Sequence, residues 1–60
     1  ALIGRVGSVS ETIDNSSKSG RVLIDGDQWK AISYNNEIIE LNDQVEVISI
    51  DSTIITVKKI

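Results

Sequence analysis

A chain of 60 residues with no cysteine and no histidine can build one small domain, and it must do so without disulfides or thiolate and imidazole metal sites. Its formal net charge of −3 argues against a phosphate-backbone partner, because such binding is driven by Lys and Arg displacing counterions. No apolar run approaches the ~20 residues of a membrane-spanning helix, and no segment reads as a signal peptide.

Hydrophobic residues make up 40% of the chain, and 17 of them are Ile or Val. β-branched side chains lose χ1 freedom in a helix and suit a pleated sheet. Turn-forming Gly, Asn, Asp and Ser fall at short intervals, and no segment holds a 3.6-residue period. The pattern predicts a small all-β domain of five strands.

The first strand is expected from about Leu2 to Ile13, with Ile3, Val9 and Ile13 on one parity and Val6 on the other. Gly4 and Gly7 flank the parity change and are read as marks of a bulge or sharp coiling. "DNSSKSG", residues 14–20, reads as a mobile hairpin loop. Strands two and three are expected near Arg21–Ile24 and Gln28–Ser33. Asp25-Gly26 between them is a two-residue type I′ signal, needing φ > 0 at both positions. That turn sets Ile24 opposite Asp27, Val22 opposite Trp29 and Gly20 opposite Ala31. Val22, Trp29 and Ala31 then face inward, while Arg21, Leu23, Gln28 and Lys30 face out.

Tyr34-Asn35-Asn36 interrupts the pattern, with Ile32 and Tyr34 read as facing opposite ways. Glu37–Glu40 is a connector too short for a regular helix, and Asn42-Asp43 is a turn. The fourth strand, Val45–Ile50, changes parity between Val47 and Ile48, which predicts a bulge. Asp51-Ser52 turns the chain into a fifth strand, Ile54–Lys58. Five short strands with a coiled first strand fit a closed barrel of the OB type without the usual helix, with an SH3-like barrel as the alternative. Closure also removes exposed sheet edges.

Candidate chemistry is sparse. His-based triads and thiolate nucleophiles are excluded by composition. Ser17, Lys18 and Ser19 are consecutive in a polar loop with nothing to desolvate the lysine, so they read as solvated surface. Asp25 and Asp27 flank a turn glycine, and Glu37 and Glu40 flank an apolar pair; neither supplies the converging oxygens of a Ca²⁺ site. No enzyme activity, metal or cofactor is expected.

Three stretches, in order and at these spacings, carry a family resemblance: "LIGRVGSV", "GRVLIDGDQWKAIS" and "IIELNDQVEVISIDSTIITV". The chain resembles the C-terminal soluble domain of NfeD-like membrane proteins over nearly all its length. The structural signature carried by the resemblance and the hairpin register is Gly4, Gly7, Val22, Gly26, Trp29, Ala31, Val45, Val47 and Val57. Two departures stand out, Asn42 and Ser52 where the family usually has Gly, and Ser52 at positive φ would cost ~1 kcal/mol. The first loop also lacks the family's usual proline.

The resemblance implies an OB-like barrel on a protein with N-terminal transmembrane helices, working with stomatin- and flotillin-like (SPFH) membrane proteins in membrane protein quality control. Long members add a Ser–Lys protease domain outside the matched region. The chain starts with Ala in strand-like sequence and is read as the C-terminal domain, residues 1–60, of a longer membrane protein. The domain itself is expected to be soluble, on a side of the membrane left open.

The function expected is a non-catalytic protein-contact module, docking an SPFH partner or another copy of itself. The alternative is a single-stranded nucleic-acid binder, disfavoured by acidic charge and by having only Trp29 and Tyr34 as aromatics. Trp29 is read as the plug of the core, so its replacement by Ala would cost about 3–5 kcal/mol. Contact is expected instead through Leu23 and Tyr34 on the outer surface. The facing of Ile48 and Ile54 is left open.

Overall fold

Short β-branched runs separated by tight turns can satisfy every strand edge only by pairing around a circle. In the computed structural model, which describes all residues Ala1–Ile60, they do so. The strands are β1 (Val6–Asp14), β2 (Ser19–Ile24), β3 (Asp27–Ser33), β4 (Gln44–Asp51) and β5 (Ile54–Lys59). They close in the order β1-β2-β3-β5-β4, with β3 and β5 parallel and all other neighbours antiparallel. No helix is present. This is the OB-type barrel, and the parallel β3–β5 seam sets the SH3-like alternative aside.

The β2–β3 hairpin has the register that its turn dictates. Asp25 and Gly26 have φ of 50° and 87°, Ile24 pairs with Asp27 and Val22 with Trp29. β4 carries its bulge where the parity changes, between Val47 and Ser49, leaving Ile48 as the extra residue. Asn42 and Ser52 take positive φ, 74° and 61°, as turns normally given to glycine would.

β1 differs from expectation. It starts at Val6, because Leu2 to Arg5 form a turn closed by Arg5 N–H donating to the Leu2 carbonyl (2.9 Å). Ile3 is therefore 58% exposed, and Leu2 packs against the core in its place. The bulges lie not at the glycines but on either side of Glu11, between Val9 and Glu11 and between Glu11 and Asp14. Each inserts one extra residue. Together they turn Glu11 outward while Val9 and Ile13 stay inside.

Gly7 has a different task. A Cβ there would lie 2.6 Å from the Leu23 carbonyl oxygen and 2.7 Å from side-chain carbons of Val22 and Ile24. Only a bare Cα lets β1 cross so close to β2. Gly4 and Gly26, grouped with the core by sequence, are exposed turn residues instead.

The interior holds ten aliphatic side chains: Val9, Ile13, Val22, Ile24, Ala31, Ile39, Val45, Val47, Ile55 and Val57. Ile39 was not singled out by periodicity, since it sits in the connector. It exchanges two backbone hydrogen bonds with Ile13, at 2.9 and 3.1 Å, and is fully buried. Trp29 and Leu2 pack on the core without being fully enclosed. The tryptophan is thus a half-buried lid over one barrel mouth. It is not a fully enclosed plug beside Ile3, which itself lies exposed.

The expected mobile loop is a four-residue turn, Asn15–Lys18, tied down at several points. Ser16 N–H and Ser17 Oγ donate to the Asp14 carboxylate at 3.0 and 3.2 Å. Asn15 clamps the end of β3: its Nδ2 donates to the Ser33 carbonyl (2.8 Å) and Asn36 Oδ1 (2.9 Å), and its Oδ1 accepts from Ser33 N–H (3.0 Å).

Three stability outcomes are expected. Gly7→Ala loses about 2–3 kcal/mol in urea denaturation, the cost of overpacking against a backbone that cannot retreat. Ile39→Ala loses about 3–4 kcal/mol, whereas Trp29→Ala loses about 2, because part of its surface is already wet. Equal losses at those two positions would show that Trp29 is as enclosed as Ile39. Ser52→Gly raises the midpoint, by about 0.5–1 kcal/mol, since relief of the left-handed conformation exceeds the extra chain entropy of glycine; a lower midpoint would overturn that account.

Candidate partner-binding surface

The interior is filled with aliphatic side chains, and no cleft opens on the surface. Binding chemistry is therefore carried by the outer wall. The serines and lysine of the first turn are engaged locally: Ser17 Oγ with Asp14, Ser19 Oγ with the Thr12 carbonyl at 3.3 Å. Lys30 Nζ donates to the Lys18 carbonyl. Among the paired carboxylates, Asp25 forms an ion pair with Arg5, and Asp27, Glu37 and Glu40 lie exposed. No three acidic side chains converge on a point.

The two residues expected to make contact do not come together. Leu23 on β2 sits opposite Gln28, and Tyr34 lies six residues further along the β3 direction. At ~3.3 Å per residue that is about 20 Å. Each has different company. Leu23 faces Ser8 on β1, with Val6 as the diagonal outward neighbour. This is a small apolar pair near the β2–β3 turn.

Tyr34 belongs to a larger group. Ile32 and Tyr34, two residues apart, both point outward rather than to opposite faces, at 38% and 56% exposure. Tyr34 N–H donates to the Val57 carbonyl (3.0 Å), which holds the residue beside β5. Across the parallel seam Ile32 pairs with Thr56, so Ile54, 40% exposed, is its diagonal neighbour. Ile32, Tyr34 and Ile54 form an apolar stripe along the β3–β5 seam. Sequence reasoning missed it, because residues 32 and 54 become neighbours only through a parallel pairing that no local signal announces.

Charged residues flank the stripe on both sides. On the β2 side stand Arg21 and, on β3, Lys30, which are directly paired. On the β4 side stand Asp51, opposite Ile54, and Glu46, opposite Lys58. Arg21 has its own intramolecular acid, Glu11, at 3.9 Å, a weak contact between exposed groups.

Comparison with known proteins places this geometry. The model of the NfeD-like C-terminal, partner-binding domain matches residues 1–59. The C-terminal domain of stomatin operon partner protein 1510-C from Pyrococcus horikoshii superposes with a TM-score of 0.87 at 30% identity, over 98% of this chain and 88% of that one. The soluble domain of a membrane protein implicated in regulation of membrane protease activity, from Corynebacterium glutamicum, superposes with a TM-score of 0.85 at 32% identity, over 93% and 87% of the two chains. No curated protein matches the chain. The same helix-free barrel, matched from end to end by a family model and by two solved domains, establishes that this chain belongs to the NfeD family as its C-terminal, partner-binding domain.

Proposed function

We propose that the chain is a non-catalytic docking module that joins an NfeD-type membrane protein to a stomatin- or flotillin-like (SPFH) partner. The observation that carries this reading is the match of residues 1–59 to a domain described as partner-binding. The Pyrococcus neighbour, whose name couples it to a stomatin operon, supplies the partner class. The Corynebacterium neighbour is a soluble domain of a membrane protein implicated in regulating membrane protease activity. By extension, the module acts in membrane protein quality control, tethered through membrane segments outside these 60 residues.

The wall chemistry supports side-chain recognition. Every strand of the barrel has two hydrogen-bonded neighbours, so a partner gains little by adding a strand to an edge. Contact then rests on exposed apolar residues with polar rims, as at other protein interfaces. Single-stranded nucleic acid is the weaker reading. Base stacking needs exposed aromatics in a basic groove, and here Trp29 packs on the core and Tyr34 stands alone.

The test is calorimetric titration of the chain with the soluble region of a stomatin-type protein from the same genome, alongside a single-stranded oligonucleotide. Saturable binding to the stomatin-type protein alone is expected, with function lost in a parent truncated before Ala1. Absence of that binding, with full function of the truncated parent, would overturn the proposal. Salt-sensitive binding of the oligonucleotide would replace it with the nucleic-acid reading.

A further inference from the structure

We propose that the outer face of β1, from Val6 to Ser10, is the seat of an extended, uncharged segment of the partner protein. This rests on the docking reading above and adds where the partner is held and by what chemistry. Six outer positions adjoin there: Val6, Ser8 and Ser10 on β1, Leu23 on β2, Gln28 on β3 and Gln44 on β4. None carries a charge, in a chain with 25% charged residues. Val6 and Leu23 are 51% and 39% exposed. Both glutamines are drawn in over β1. Gln44 Nε2 donates to Ser8 Oγ (2.8 Å), and Gln28 reaches across β2 so that its Oε1 accepts from Ser10 Oγ (2.6 Å). The strip is an apolar pair with two held amides beside it.

Each held amide keeps an unused valence turned to solvent. Gln28 Nε2, a donor, and Gln44 Oε1, an acceptor, bond to nothing within the chain. The amides are anchored on Ser8 and Ser10, two residues apart on one strand, a spacing of about 6.6 Å. An extended backbone repeats its N–H and C=O groups along one edge at that same two-residue spacing. One segment running along β1 can therefore meet both amides and set an apolar side chain on Val6 and Leu23. Because the serines already hold the amides, binding costs little rotamer freedom.

Charge and shape select this occupant. The ionised groups bordering the strip are matched at home: Arg5 with Asp25, Arg21 with Glu11, and Glu46 with Lys58 opposite it. A charged side chain brought onto the strip would lose water and find no free counter-charge. The barrel measures 27 × 22 × 18 Å, so its wall falls away on both sides of β1. A flat lipid surface or a second barrel touches such a wall along a line, whereas an extended segment follows the strip for its whole length.

The test is nuclear magnetic resonance of the labelled chain, titrated with the soluble region of a stomatin-type protein from the same genome and then with short overlapping peptides that tile it. Shifts should map to Val6 through Ser10, to Leu23, and to the side-chain amide signals of Gln28 and Gln44; this arm needs no variant to fold. At least one peptide with an uncharged contact segment should reproduce that map. Leu23→Glu should weaken binding by about tenfold or more, since it places a carboxylate in the contact. Gln28→Glu, which removes the free donor, should weaken it by about threefold or more. Both positions are exposed, and thermal melts check that the variants fold. Raising salt from about 50 to about 500 mM should change the dissociation constant less than about twofold. Binding that maps to the β3–β5 seam, or that is lost in Ile32→Glu and kept in Leu23→Glu, overturns this inference and leaves the docking reading standing. Steep salt dependence, or binding by charged peptides alone, also overturns it. So do shifts on the strip that appear on concentrating the chain by itself, which would make a second copy the occupant. No binding by the stomatin-type protein or any peptide at up to about 1 mM overturns both.

Discussion

β1 has to serve two neighbours at once, pairing with β4 at its start and with β2 along its length, and the rest of the barrel depends on that double duty. A straight strand cannot do it. Gly7 permits the near collision with β2, where any side chain would strike the Leu23 carbonyl. The paired bulges around Glu11 add the coiling that carries the strand on to Ser19 and the β1–β2 turn. The same pair of bulges keeps a carboxylate out of a ten-residue aliphatic core in which it would have no partner. Closure, core composition and surface charge are thus consequences of how one strand bends.

With so few core residues, the two barrel mouths matter as much as the middle. They are closed by different means. At one mouth the connector between β3 and β4 bends in and inserts Ile39, held by a two-way backbone exchange with Ile13. That single residue does the covering that a helix does in larger barrels of this type. At the other mouth Trp29 covers the core, and Leu2, from the turn before β1, adds to the packing. Trp29 has a wide apolar body and a polar N–H, so it suits a position where one side is dry and the other wet.

The filled interior leaves the outer wall as the means of recognition, and the wall is not uniform. Parallel pairing of β3 with β5 gathers Ile32, Tyr34 and Ile54 into a stripe, with Arg21 and Lys30 to one side and Asp51, Glu46 and Lys58 to the other. Leu23 stands apart, beside Val6 on β1. A partner-binding domain of this size therefore has two separable surfaces. One is a small apolar pair near the β2–β3 turn; the other is a larger apolar stripe over the seam.

Short-range chemistry settled a good part of this protein in its sequence. The Asp25-Gly26 turn permits one hairpin register, and that register alone puts Val22 and Trp29 on the inner side. Period-two alternation of Ile and Val marked the strands, and the broken period after Val47 marked a bulge. The absence of Cys and His removed whole classes of chemistry. What only the tertiary structure decided was everything that depends on strands meeting far apart in the chain. The bulges around Glu11 are set by pairing with β2, because Glu11 has the same sequence parity as its buried neighbours. Leu2 displaced Ile3 because a turn that pairs with β4 intervened. Ile39 became core through a bridge to Ile13, 26 positions earlier in sequence. The stripe over the seam exists because a parallel pairing, which no turn can encode, laid residue 32 beside residue 54.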